Sequence, residues 1–155
     1  MSVELIVFDL DFTLWDCDGV WCDCTCPPYK KHGNLILDSQ KRSITLYSDV
    51  IAILQYCQKQ QIKMALASRT GEPSWAKQLI ELFDIQSFFI QQEIYPGSKV
   101  NHFQMLKQNL NIDYGQMVFF DDEMRNIKEV GDLGVKAVFV ETGLNWDMFT
   151  SAIQL

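Results

Sequence analysis

Two aspartates, Asp9 and Asp11, follow the apolar run Leu5-Ile6-Val7-Phe8, and Thr13 comes two residues later. In an extended or just-turning segment, residues two apart point the same way, so both carboxylates face one small space. Like charges held that close are costly unless a cation lies between them or one carboxyl is protonated. Both solutions suit phosphoryl transfer, in which a cation binds carboxylate and phosphate oxygens, one Asp attacks phosphorus and the other handles the proton. Taken alone, the pair fits ordinary loop carboxylates equally well.

Further groups of this kind follow two other apolar runs. Met117-Val118-Phe119-Phe120 leads into Asp121-Asp122-Glu123, and Met64-Ala65-Leu66-Ala67 leads into Ser68-Arg69-Thr70. A third carboxylate, Asp121, would complete an oxygen-rich set of the kind Mg²⁺ prefers. Asp122 is divided between that set and a helix-start role, and Glu123 reads as a helix cap. Ser68 could hold a phosphate oxygen together with backbone N–H groups, or be a plain turn serine. Arg69 offers a fork for an anionic group, or is a solvated surface residue. Lys99 follows Pro96-Gly97-Ser98 at a helix start. A cation there opposes the helix dipole, a placement that a task on phosphate and the nucleophile would explain.

These residues are far apart in sequence, so the fold must bring them together. Short continuous apolar runs read as strands buried on both faces. Phe88-Phe89-Ile90 and Val135 to Val140 add two more. Helical spacing appears at Val50, Ile53, Leu54 and Cys57 after a cap at Ser48, and at Ala76, Leu79, Ile80 and Phe83 after Pro73. It recurs at Phe103, Leu106 and Leu110 after Ser98, at Ile127 and Val130 ending near Gly134, and over residues 145–154. Strands alternating with helices imply an α/β doubly wound, mostly parallel sheet with helices on both faces. The polar strand ends then share one edge, where such sheets bind ligands. Residues 15–47 interrupt the alternation and read as a loop followed by a β-hairpin, Asn34–Leu37 and Ser43–Tyr47. A chain of 155 residues fits one domain, 1–155, with that flap as its insertion.

The balance of 13 Lys+Arg against 20 Asp+Glu, a formal charge of −7, disfavours nucleic acid and anionic membranes as partners. No apolar run approaches the ~20 residues of a membrane span. The start Met1-Ser2-Val3-Glu4 lacks the basic segment of a signal peptide, so the expected location is cytoplasmic. No pattern specifies an oligomeric state.

The set Asp9-x-Asp11-x-Thr13, Ser68, Lys99 and Asp121-Asp122 resembles, in order and spacing, the four motifs of the haloacid dehalogenase (HAD) superfamily. Within it, Phe8-Asp9-Leu10-Asp11-Phe12-Thr13-Leu14-Trp15, Ala67-Ser68-Arg69-Thr70, Glu93-Ile94-Tyr95-Pro96-Gly97-Ser98-Lys99 and Phe119-Phe120-Asp121-Asp122-Glu123 are similar to the magnesium-dependent phosphatase-1 subfamily. The resemblance implies a Rossmann-like core and a Mg²⁺-dependent phosphomonoester hydrolase. Asp9 would form an aspartyl-phosphate and bind Mg²⁺. Asp11 would protonate the leaving group, activate water and meet the metal through its carbonyl. Thr13 would support the loop, and Lys99 would pair with the nucleophile and phosphate. Leu10, Ser68 and Arg69 would contact phosphate or substrate, and Asp121, with Asp122 as a further candidate, would bind the metal. Trp15 and Trp21 lie close to the nucleophile loop, and of the two Trp21 is the one expected to pack an aromatic or sugar substrate. Substrates would be phosphotyrosine-like or sugar phosphates, that is, a phosphorylated small molecule or a phosphoprotein. The second aspartate argues against dehalogenase chemistry. With no large cap, the pocket should be open apart from the 15–47 flap.

Two competing readings are group transfer to an acceptor other than water, and a non-catalytic binding module; clustered charges without a task are costly, which counts against the latter. Cys17, Cys22, Cys24 and Cys26 suggest zinc, yet their spacing departs from the usual C-x₂₋₄-C pairs, leaving free thiols as the simpler expectation. A disulfide framework is not expected. Cys57 and Trp15 read as core, and His32 and His102 as surface or partly packed residues.

Overall fold

The computed structural model describes residues 2–154. In chain order it contains β1 (Leu5–Phe8), β2 (Trp15–Asp16), β3 (Lys30–His32), β4 (Leu35–Leu37), β5 (Ser43–Leu46), α1 (Val50–Lys59), β6 (Lys63–Ser68) and α2 (Pro73–Leu82). There follow β7 (Gln91–Ile94), α3 (Lys99–Leu110), β8 (Met117–Asp121), α4 (Met124–Gly131), β9 (Lys136–Phe139) and α5 (Trp146–Ile153). The main sheet is fully parallel, in the order β7-β6-β1-β8-β9. The chain leaves central β1 towards β6 on one side and later reaches β8 on the other. That reversal is the switch point where ligands of such sheets bind.

All four β1 residues are buried, and they alternate between two cores. Ile6 and Phe8 pack with α1, α2 and α5, whereas Leu5 and Val7 pack with α3 and α4. Phe8 stacks on Phe120 of the neighbouring strand, with ring centroids 5.8 Å apart. Because both faces are covered, a one-residue slip of β1 would exchange the two cores' side chains, so the register is tightly specified. Phe8 lies beside Leu66 and Phe120, which sets Asp9, Ser68 and Asp121 at adjacent strand ends.

Several local expectations need correction. Phe88-Phe89-Ile90 is not a strand. Gln86–Phe88 form a 3₁₀ turn, and the strand is the polar Gln91–Ile94. This is an edge strand with half-buried side chains, so a search for apolar runs passes over it. Helix α1 is entered at Asp49 without a side-chain cap, not at Ser48. Ser98 does cap α3, its hydroxyl accepting from the Val100 amide. Helix α4 ends at Gly131, one turn earlier than Gly134 suggests. The flap is more than a hairpin: β2-β5-β4-β3 form an antiparallel sheet, locked internally by buried Asp38, which accepts from the amides of Cys26, Gln40 and Arg42. Among the described residues, no helix is long and apolar enough to cross a membrane.

The turn after β1 is strained. Phe12 has φ +62°, a left-handed conformation that costs a bulky residue roughly 1–2 kcal/mol. Its neighbours hold it there. The Phe12 and Thr13 carbonyls accept from the amides of Gly143 and Leu144, at 2.9 Å each. Gly143 itself has φ +75°, and a Cβ there would run into the Tyr47 ring. Gly33 has a comparable φ of +62° but nothing near its Cβ position. Gly143→Ala is therefore expected to cost about 2–3 kcal/mol, against about 1 kcal/mol for Gly33→Ala. Urea denaturation of the two variants measures the difference, and equal losses would show that the Tyr47 contact is unimportant.

Candidate active site

Lys99 is the centre of the site. It opens α3, yet its side chain is only 1% exposed. Its Nζ donates to Asp9 Oδ1 at 2.9 Å and to Asp121 Oδ2 at 2.6 Å. Burial alone would push an ammonium towards its neutral form, but the two carboxylates outweigh burial and hold Lys99 above the ordinary lysine range. Thr13 Oγ1 donates to the other oxygen of Asp9 at 3.2 Å. Asp9 therefore has a fixed orientation at the end of β1.

Asp122 joins this pair. One carboxylate oxygen each from Asp9, Asp121 and Asp122 lie within 4.8 Å of one another, the only such grouping of His, Cys, Asp and Glu among the described residues. Asp121 is raised above the ordinary carboxylate range by burial and then by Asp9, with Lys99 opposing. Asp122 is raised by burial first, then by Asp9 and Asp121. Fully ionised, the three crowded carboxylates would outnumber the one ammonium and leave excess negative charge in a poorly solvated place, which is what raises Asp121 and Asp122. The all-oxygen donor set and that charge fit a hard divalent cation such as Mg²⁺.

The carboxylate of Asp11 is outside this group. It accepts from the Trp15 indole at 2.7 Å and from the Cys22 amide at 3.1 Å, and the Cys17 thiol donates to it at 3.7 Å. Burial outweighs these donors and holds Asp11 above the ordinary carboxylate range, so it retains a proton more readily than an exposed aspartate. The same contacts fasten the flap. Cys22 Sγ lies 3.3 Å from Thr70 Oγ1, and Asp23 accepts from the Gly71 amide. Cys17 and Cys22 thus pack the flap against the Asp11 and Thr70 loops, whereas Cys24 is exposed and Cys26 lies beside Asp38 and Arg42; among the described residues the cysteines form no cluster that could hold a metal. Trp21, next in sequence, is 52% exposed and lines the same cavity as Asp9, Asp11, Ser68, Arg69 and Lys99. Trp15 is core.

The remaining sequence candidates fall as follows. Ser68 is buried, its hydroxyl accepting from the Thr70 amide. Leu10 is fully buried and does not line the cavity. Arg69 donates to Asn126 Oδ1 at 3.0 Å and lies 3.7 Å from Glu129. Glu123 occupies the cap position of α4 without capping it, its carboxylate turned to Arg125. Asp121 Oδ1 instead accepts the Glu123 amide. Two participants escaped the sequence reading. Asn126 Nδ2 donates to Asp121 Oδ2 at 3.0 Å, and Glu129 accepts from the Ser98 hydroxyl at 2.8 Å. Together they close a ring: Lys99, Asp121, Asn126, Arg69, Glu129, Ser98 and back to Lys99. Their spacing on α4, three apart, was the available signal.

The Acid Phosphatase family model matches residues 2–155. The chain belongs to the acid phosphatase family. This family member is 40% identical over 153 residues to magnesium-dependent phosphatase 1 of Homo sapiens, covering 97% of this chain and 85% of that protein. It is also 40% identical over 145 residues to an HAD-like hydrolase superfamily protein of Schizosaccharomyces pombe, covering 85% and 82%. Among solved structures, an HAD-superfamily hydrolase from Ehrlichia chaffeensis matches with a TM-score of 0.74 at 13% identity, over 99% of this chain and 98% of that one. An HAD family enzyme from Bacteroides thetaiotaomicron, in complex with magnesium and inorganic phosphate, matches with a TM-score of 0.70 at 13% identity, over 96% and 99%. The chain thus has the HAD-like, Rossmann-type α/β fold.

The carboxylate crowding makes a prediction that does not involve turnover. Without divalent cation, Asp122→Asn removes like-charge repulsion and is expected to stabilise the protein by about 1 kcal/mol, or ~2–4 °C in Tm. Saturating Mg²⁺ should raise the wild-type Tm, by mass action, more than that of the variant. Thermal melts with EDTA and with Mg²⁺ check both signs; equal Mg²⁺ shifts would remove Asp122 from the cation site.

Proposed function

We propose that this chain is a Mg²⁺-dependent phosphatase that hydrolyses phosphomonoesters through an aspartyl-phosphate on Asp9. The observation that carries the reading is buried Lys99, which is bonded to both Asp9 and Asp121 and with Asp9 lines a cavity of about 220 Å³. An ammonium there lowers the repulsion between an incoming phosphate and the attacking carboxylate. The family match and the identity to a protein named magnesium-dependent phosphatase 1 support the same reading.

In the first step an Asp9 oxygen attacks phosphorus and the ester oxygen leaves. Thr13 and Lys99 hold the carboxylate so that little orientational freedom is lost on reaction. Asp11 gives its proton to the departing oxygen, a role suited to a carboxyl held above its ordinary range. In the second step the same carboxylate takes a proton from water as its oxygen attacks phosphorus, releasing phosphate and restoring Asp9. Ser68, Arg69 and Lys99 bind the phosphoryl oxygens. Asp9, Asp121 and Asp122 would hold Mg²⁺, with Asp11 contributing its backbone carbonyl. The bound ion supplies charge neutralisation to phosphate and carboxylate.

The substrate is a phosphorylated small molecule or phosphoprotein of the phosphotyrosine-like or sugar-phosphate class. Support comes from Trp21, whose exposed indole at the cavity rim offers a flat face to an aromatic or sugar ring.

Phosphate release from p-nitrophenyl phosphate tests the reading. EDTA should abolish release and Mg²⁺ restore it. Asp9→Asn should reduce the rate to background, since no acyl phosphate can form, and Asp11→Asn should lower kcat about 10²–10⁴-fold. An Asp9→Asn enzyme as fast as wild type would overturn the mechanism.

A further inference from the structure

His102 lies on α3, three residues beyond Lys99, and is fully buried, contrary to the surface or partly packed position expected for it. It does not line the cavity. Every hydrogen-bond partner of its ring is nevertheless a backbone carbonyl next to the site. Nε2 lies 2.8 Å from the Ser68 oxygen and 2.9 Å from the Tyr95 oxygen, and Nδ1 lies 3.2 Å from the Ser98 oxygen. These carbonyls belong to the end of β6, the segment after β7 and the cap of α3. The ring also stacks on Tyr95, with centroids 4.2 Å apart and planes 14° from parallel.

Carbonyl oxygens only accept, so the imidazole must donate. Burial, aided by the Lys99 charge, pulls His102 below the ordinary histidine range against the pull of the three carbonyls. A neutral imidazole has one N–H. On Nε2 it serves the two shorter contacts at once. On Nδ1 it would leave a bare nitrogen facing two carbonyl oxygens, which is the costlier arrangement. The Ser68 oxygen also accepts from the Tyr95 amide at 3.1 Å, so two donors fix the plane of the Ser68–Arg69 peptide.

Building on the phosphatase reading above, we propose that His102 is a positioning residue: its Nε2–H clamps the Ser68 and Tyr95 carbonyls and so sets the phosphate-binding strand end against the helix that carries Lys99. Ser68 and Lys99 reach the site from different elements, and His102 joins those elements directly. Losing the clamp would let the Ser68–Arg69 segment shift relative to Lys99 and Asp9 without removing any group that touches phosphate.

Three variants separate positioning from packing. Gln carries an amide N–H to the place of Nε2, Asn carries one only to the place of Nδ1, and Leu has no donor. His102→Leu and His102→Asn should lower kcat/KM for p-nitrophenyl phosphate about 10²-fold, the effect of a misplacement on the order of 1 Å. Calorimetric titration with inorganic phosphate in Mg²⁺ should show binding weakened about tenfold for both, the ground-state part of that loss. His102→Gln should stay within about fivefold of wild type in both measurements while lowering Tm as much as Asn does. Equal losses for Gln and Asn, tracking Tm, would reduce His102 to a packing residue. Wild-type behaviour of Asn would overturn the clamp. Should the Leu variant not fold, the Gln–Asn comparison decides alone. Should wild type hydrolyse no phosphoester, the phosphatase reading fails, and the order of phosphate affinities still tests the clamp.

Discussion

The structure depends on one buried ammonium between two carboxylates. Lys99 at 1% exposure would be untenable alone, because desolvating a lysine costs several kcal/mol. Asp9 and Asp121 offset that cost only if they meet it at hydrogen-bond distance, which requires the ends of β1 and β8 to be adjacent and α3 to begin over them. The parallel order β6-β1-β8 supplies that adjacency. The ring through Asn126, Arg69, Glu129 and Ser98 then ties the same point to β6 and α4. Removing Lys99, Asp9 or Asp121 leaves another buried group uncompensated, so the cost of disruption there exceeds the value of any single contact.

Placing charge this way has a stability cost that function explains. Asp122 adds negative charge where two carboxylates already share one cation, and Phe12 adopts a left-handed turn unsuited to a bulky residue. Both features lie next to Asp9. Strain and like-charge crowding persist at functional sites when surrounding structure over-determines them, and the Gly143 and Leu144 amides provide that support here. The flap plays a related part. Its inner loop is bonded to Asp11 and Thr70, so the aromatic rim at Trp21 is positioned by the residue assigned to proton transfer.

The chemistry-bearing residues were legible in sequence because strand ends announce themselves: a continuous apolar run followed by a polar motif gives both the element and its exit. Asp9, Ser68 and Asp121 follow from that rule, and Lys99 stood out by opposing the helix dipole. Residues that act through other residues had no such mark. Asn126 and Glu129 lie on an ordinary-looking helix, and His102 looks amphipathic until three carbonyls converge on it. Polar β7 carries no such signal because half-buried edge strands lack the apolar signature; in the flap the β4–β5 hairpin is legible, whereas β2 and β3 are not, being only two and three residues long. Long-range pairing, not local pattern, defines those elements.

In the proposed mechanism Asp9, held by Lys99 and Thr13, is the nucleophile whose oxygen bonds to phosphorus. Borohydride reduces an acyl phosphate to an alcohol, so quenching wild-type enzyme with it during turnover of p-nitrophenyl phosphate in Mg²⁺ should convert Asp9, and no other residue, to homoserine in the peptide mass spectrum. The conversion should require substrate. An unmodified Asp9 peptide during active turnover, or homoserine at another aspartate, would contradict the account.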